Sequence, residues 1–255
     1  MDLIRFLCIY VDFMFICILF LYIGFKILKR DKSSEVNQLF FLFFFFISLG
    51  FIINFIYAPI VDESLTTLVV FMCKLVVFCV IYSLSFIILA IRLLEPNKEI
   101  SSRNKILFFS FYGLICLSLF FIPKGITIKI IQGEYQEFPI YNLYFAITGI
   151  SIVLFGISIF LYYAGRLFIK FNNPIFIKKL KFIVYGVCFF YSLVIITLIS
   201  NYLNIYTLRF YFLIISNLMI PSILSIYIGI KYDDNNNNNK LKFTFKKKKI
   251  VLQNR

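Results

Sequence analysis

The sequence predicts an all-α membrane protein, a seven-transmembrane helix bundle with a non-cytosolic N-terminus and a cytosolic C-terminus. Three observations predict it. Of 255 residues, 62% are hydrophobic and only 15% charged, with a mean hydropathy of +0.94. A water-soluble domain is nearer about 45–50% apolar and about 25% charged. The apolar residues fall into seven runs, each near the ~20 residues a helix needs to cross ~30 Å of hydrocarbon. Lys and Arg gather in alternate loops, which orients such a bundle.

The runs lie at 7–28, 39–60, 70–91, 106–123, 140–163, 182–203 and 210–230. The first is too long for a simple signal peptide and lacks a small-residue cleavage site. Period-2 alternation is missing from the runs, so a helix bundle rather than a β-barrel satisfies the backbone in lipid. In the fifth run, Gly149, Gly156 and Gly165 offer close helix packing. The seventh contains Pro221, which predicts a kink that frees a carbonyl one turn earlier. Between the fourth and fifth runs, residues 125–138 alternate β-branched residues around Gln132-Gly133, the pattern of a small non-cytosolic hairpin.

Charge orients the chain. The first loop carries Lys26, Lys29, Arg30 and Lys32; the third carries Arg92, Lys98, Arg103 and Lys105; the fifth carries Arg166, Lys170, Lys178, Lys179 and Lys181. The second loop has no Lys or Arg at 61–64, the fourth has Lys124 and Lys129, and the sixth has Arg209 alone. The cation-rich loops mark the cytosolic side. The formal charge of +14 is therefore largely a one-sided coat and calls for no nucleic-acid partner. Residues 1–232 form the seven-transmembrane domain, and 233–255 form an asparagine-run tether with a polybasic cytosolic tail. In that tail Lys246, Lys247, Lys248 and Lys249 are expected to adhere to anionic lipids of the cytosolic leaflet, at about 1 kcal/mol per Lys.

The composition excludes much chemistry. Without histidine there are no His-ligated metals, no His general bases and no Ser–His or Cys–His pairs. The six cysteines lie in apolar runs without a CxxC spacing, so no extracellular disulfide framework is expected. Carboxylate clusters and nucleophile–base pairs are missing too. The expectation is a non-enzymatic protein with no cofactor, no metal and no catalytic residue. The abundance of Phe, Ile, Asn, Lys and Tyr follows AT-rich codon usage and carries no functional weight.

Polar residues inside the runs are the remaining signal. Asp12 and Lys74 either pair to line a binding cavity or sit at the outer boundary, where Lys74 snorkels. In the inferred topology Asn54, Asn142, Asn201 and Asn217 share their outer half. An outer cavity built from Asp12, Asn54, Lys74, Asn142 and Asn217 is one reading, and interhelical amide hydrogen bonds are the other.

Two stretches carry a resemblance. Tyr163-Ala164-Gly165-Arg166-Leu167-Phe168 is followed by Phe171, Pro174 and Lys178-Lys179-Leu180, and Ile220-Pro221-Ser222 lies in the seventh run. These resemble the end of the fifth helix, the third cytosolic loop and the seventh-helix Leu-Pro-Ser of the tobamovirus multiplication protein family, which includes lysosomal orphan receptor-like proteins. Tyr82 and Ala90 also fall where that family has Tyr and Ala. The chain departs from the family at Lys181 and Leu218, where the family has acidic residues, and near Leu193, where it has Arg. The resemblance implies a vacuolar or endolysosomal membrane protein that recruits small GTPases of the Arf-like or Rag type and has no catalysis. It places partner binding at Arg166, Lys170, Lys178 and Lys179. On the residues alone, Arg166 reaches phosphates or helix-end carbonyls, Pro174 breaks the loop, and Lys178 and Lys179 start the next helix.

Two other functions fit the same spans. One is a ligand-responsive seven-helix receptor, in the plasma membrane or elsewhere, although outer disulfide cysteines and a seventh-span Lys for retinal are lacking. The other is a small-solute transporter, for which the sequence offers one broken helix and no internal repeat.

Overall fold

The structure, a computed structural model, describes residues 10–11, 13–60, 62–95, 100–128, 130–131, 135–136, 139–205 and 216–231. Among them are α1 (Phe13–Arg30), α2 (Glu35–Tyr57), α3 (Thr66–Leu93), α4 (Ser102–Leu117), α5 (Leu143–Lys170), α6 (Pro174–Leu203) and α7 (Met219–Ile230). Five stretches are long and apolar enough to cross a membrane: Glu35–Tyr57, Glu63–Leu93, Ser102–Phe121, Leu143–Lys170 and Pro174–Leu203. The chain is an all-α, multi-pass membrane protein.

Helix ends are fixed by side chains, as expected where backbone groups must find partners within the chain. Ser34, Ser101, Asn142 and Asn173 each accept from a backbone N–H in the first turn of α2, α4, α5 and α6. Pro174 follows Asn173 at the start of α6, where its missing N–H costs nothing. The sequence reading places this proline in a loop with the helix beginning at Lys178. Instead α5 runs through Lys170, α6 starts at Pro174, and the loop shrinks to 171–173. The rings of Phe171 and Phe176 lie 4.2 Å apart across that turn.

Neighbours in sequence are neighbours in space. The central helix is α3, which packs against α2, α4 and α5; α6 lies against α5 and α7, and α7 meets α1. Burial ranks the helices: 67% of the apolar window in Glu63–Leu93 is buried, against 17% in Ser102–Phe121. Phe20, Phe43, Phe44 and Phe190 form a buried aromatic cluster between α1, α2 and α6.

Two glycines bring α6 and α7 close together. A Cβ on Gly186 would lie 2.6 Å from the Ser222 carbonyl oxygen, and one on Gly229 2.6 Å from the Lys179 carbonyl oxygen. Each glycine therefore admits the backbone of the opposite helix. Ser225 completes the seam by donating to the Phe182 carbonyl at 2.9 Å. Pro221 stands in the first turn of α7, directly after the 3-10 turn Ser216–Leu218. In the first turn its missing N–H removes no hydrogen bond from within α7.

The hairpin between α4 and α5 forms as its sequence pattern predicts. Strand β1 (Ile126–Thr127) pairs antiparallel with β4 (Ile140–Tyr141), and β2 (Ile130–Ile131) with β3 (Tyr135–Gln136).

Candidate functional site

One end of the bundle collects the C-termini of α1, α3, α5 and α7 and the N-termini of α2, α4 and α6. Contacts across it prove the common end. Arg30 on α1 donates to the Ile230 carbonyl at the close of α7, at 3.1 Å. Lys105 on α4 pairs with Glu35 on α2 at 2.5 Å, and Glu95 after α3 pairs with Arg166 on α5 at 2.9 Å. Among the described residues, the acidic groups at this end are Asp31, Glu35 and Glu95, far fewer than the Lys and Arg residues there. Asp31 accepts from the Ser33 hydroxyl and backbone N–H, which holds its carboxyl below the usual carboxylate range.

The centre of this end is Glu95, whose side chain is 2% exposed. Its Oε1 receives both Arg166 and Lys170, which follow each other at i, i+4 and so share one face of α5. The guanidinium of Arg166 lies 5.8 Å from the Tyr162 ring centre, and that of Arg92 5.4 Å from the Tyr163 ring centre. One buried carboxylate thus holds two cations in place while Arg92 adds a third, leaving a net positive, pre-positioned surface. The sequence reading names Arg166 and Lys170 and passes over Glu95. The signal was present: an acid three residues after Arg92, directly before Pro96, at the end of an apolar run.

The other residues of the Tyr163–Phe168 motif divide by role. Ala164 and Leu167 are buried in the core, and Phe168 is half-buried. A Cβ on Gly165 meets nothing within 4 Å; nothing in the structure explains this glycine. Lys178 and Lys181 are exposed on the first two turns of α6, whereas Lys179 is half-buried where α6 faces Gly229 of α7. In the second motif Pro221 is exposed and Ser222 is buried.

At the opposite end, Lys74 is 9% exposed and its Nζ donates to the carbonyls of Phe120 and Ile122 at 3.0 and 3.2 Å. The Asn142 side chain caps α5 through Phe145 N and donates to the carbonyls of Pro123 and Lys124. Both side chains therefore hold the 120–124 turn. Asn54, Asn201 and Asn217 are half-buried. Asp12 lies outside the described residues, as do Lys246, Lys247, Lys248 and Lys249.

A polar group that the sequence reading did not single out sits within the bundle. The hydroxyls of Ser83 on α3 and Tyr191 on α6 are 2.7 Å apart, and the Val80 carbonyl lies 2.6 Å from the Ser83 oxygen and 3.4 Å from the Tyr191 oxygen, so one hydroxyl donates to the other while its partner donates to that carbonyl. The Tyr112 hydroxyl, from α4, is buried nearby without a hydrogen-bond partner, 2.5 Å from where a Cβ on Gly156 would stand. Among the described residues, no group of three His, Cys, Asp or Glu is placed to hold a metal.

Compared with known protein families, with curated proteins and with solved structures, the chain matches none.

Proposed function

We propose that this chain is a non-enzymatic, seven-span membrane scaffold whose basic end docks an acidic cytosolic partner. In this reading the N-terminus is non-cytosolic and the C-terminus cytosolic. The partner is a small GTPase of the Arf-like or Rag type on a vacuolar or endolysosomal membrane, the class and address that the family resemblance implies. The observation that supports it is the gathering of cations at one end around a buried carboxylate. A surface of oriented positive charge steers and selects an acidic partner. Lys178 and Lys181 reach solvent, while Glu95 fixes Arg166 and Lys170.

Co-purification of the full chain with GTP-loaded and GDP-loaded GTPase tests the proposal. Lys178→Gln with Lys181→Gln, on exposed positions, should lower recovery of the GTP form several-fold while leaving thermal stability unchanged. Equal recovery by wild type and variant removes the docking surface from consideration. Glycan tags inserted at 171–173 test the topology, because modification there would put the basic end in the lumen.

One observation favours a ligand-responsive receptor as the second reading. Glu95 ties the end of α3 to α5, so separation of these helices must break two ion pairs. The roles of Lys74 and Asn142 in holding the 120–124 turn argue against their lining an outer ligand cavity.

A further inference from the structure

We propose that the seam between α1 and α7 binds one anionic glycerophospholipid, with the lipid phosphate held by Lys26 and Arg30 and by the hydroxyls of Tyr22 and Tyr227. This site is separate from the docking surface around Glu95 and stands whichever partner that surface receives.

The inference starts from spacing. Met14, Ile18, Tyr22, Lys26 and Arg30 recur at every fourth position of α1 and so form one inclined stripe that winds about 40° round the helix per step, with Tyr22, Lys26 and Arg30 within about 80° of one another. Met14, Ile18 and Tyr22 are exposed on the bundle surface at 53, 54 and 59%. Lys26 and Arg30 are exposed as well. The stripe passes from aliphatic to phenol to ammonium to guanidinium over about 24 Å, at 1.5 Å per residue. A phospholipid standing against it follows the same order, from acyl chain through glycerol to phosphate. Phenols at the level of the headgroups are the usual membrane-interface arrangement.

The donor set defines the headgroup. Lys26 donates to the Tyr22 hydroxyl at 3.3 Å and lies over the rings of Tyr22 and Tyr227, 5.3 and 5.6 Å from their centres. Arg30 donates to the Ile230 carbonyl at 3.1 Å and to the Tyr227 hydroxyl at 3.4 Å. Each phenol oxygen accepts from a cation and keeps its own proton to donate. Among the described residues, neither Lys26 nor Arg30 has a carboxylate partner, and neither phenol proton has an acceptor. Two cations and two phenol O–H groups make a site with donors alone, and a phosphate oxygen is the acceptor that a bilayer supplies at this depth. The adjoining apolar stripe selects a lipid over a free anion, because the acyl chain buries aliphatic surface that a soluble phosphate leaves bare. Stacking on Tyr227 also holds both cations in position before the lipid arrives, which lowers the cost of ordering them on binding.

The test is native mass spectrometry and thermal unfolding of the full chain in detergent, titrated with phosphatidylserine, phosphatidylcholine or inorganic phosphate. Phosphatidylserine should leave one retained lipid per chain and raise Tm by several degrees, and the other two should do neither. Lys26→Gln should weaken retention at least fivefold with lipid-free Tm unchanged, and Lys26→Arg should restore it. Tyr227→Phe, which keeps the ring and removes the proton, should weaken retention without affecting the fold and provides a second test should Lys26→Gln fold poorly. Replacing Lys246, Lys247, Lys248 and Lys249 with Gln should reduce sedimentation with anionic vesicles and leave the single retained lipid in place. Retention in Lys26→Gln and Tyr227→Phe equal to wild type overturns the site. Equal stabilisation by phosphatidylcholine overturns the role of headgroup charge, and equal stabilisation by inorganic phosphate overturns the lipid assignment.

Discussion

Glu95 and Arg166 meet at 2.9 Å, one at the close of α3 and the other on the last turns of α5, with the carboxylate buried and the guanidinium about one-third exposed at 32%. Lys170 binds the same carboxylate oxygen. The buried group is the anion, and both cations keep access to water. Removal of the two sides of the cluster therefore has unequal consequences.

Glu95→Gln leaves two cations that can turn outward, so the expected loss of stability is about 1 kcal/mol. Arg166→Gln combined with Lys170→Gln takes both cations from a buried carboxylate, a larger loss, on the order of 3 kcal/mol. Thermal or denaturant unfolding in detergent separates the two outcomes. Equal losses would show that Glu95 is solvated rather than enclosed.

The glycines of α5, α6 and α7 should respond in opposite directions. Gly186→Ala and Gly229→Ala place a methyl group against the carbonyls of Ser222 and Lys179, which cannot rotate away. Overpacking of this kind costs about 1–3 kcal/mol. Gly165→Ala meets open space and should stabilise α5 by up to about 1 kcal/mol through helix propensity. If Gly165→Ala keeps the fold but lowers partner recovery, the glycine serves an approaching surface.

Two buried tyrosines make a matched pair. Tyr191→Phe removes a hydroxyl that bonds Ser83 at 2.7 Å and should cost roughly 0.6 kcal/mol, the usual size of an interhelical hydrogen bond in a membrane. Tyr112→Phe removes a buried hydroxyl without a partner and should be neutral or stabilising, since no bond is lost and a desolvated polar atom disappears. A larger loss for Tyr112→Phe than for Tyr191→Phe contradicts the assignment.

Lys74→Met should loosen the turn at 120–124 without affecting the basic end, because its ammonium caps the carbonyls of Phe120 and Ile122. Hydrogen exchange is the measurement. Faster exchange confined to the turn and to the adjoining hairpin is expected, and Asn142→Ala should affect the same region through Pro123 and Lys124. Unchanged exchange in both variants would show that neither side chain holds the turn.

Much of the architecture follows from patterns that one residue type at a time makes visible. Apolar runs mark the helices, because lipid demands about 20 such residues in succession. Gln132-Gly133 between β-branched residues marks the hairpin. Helix ends were less legible: α5 and α6 continue past their apolar runs because Lys, Arg and Tyr tolerate a helix outside hydrocarbon as well as Ile and Phe do within it. The role of Glu95 depends on α3 meeting α5 across more than seventy positions of sequence, a relation that no local spacing encodes. The same holds for Ser83 with Tyr191 and for Lys74 with the 120–124 turn. Asn142, by contrast, stands where a helix cap is common, so its bond to Phe145 was within reach of the sequence.

The turn at 171–173 has a mechanical consequence. At 28 and 30 residues, α5 and α6 measure about 42 and 45 Å, longer than the ~30 Å hydrocarbon slab. They leave the membrane as a stiff, tightly joined hairpin that carries Lys170, Lys178 and Lys181 on its shoulders. Under the proposed docking, a partner would meet a rigid post rather than a loop that must first be frozen into shape. Any rocking of either rod moves the basic end by a matching amount, so the tilt of two helices is carried without loss to the side chains at their junction.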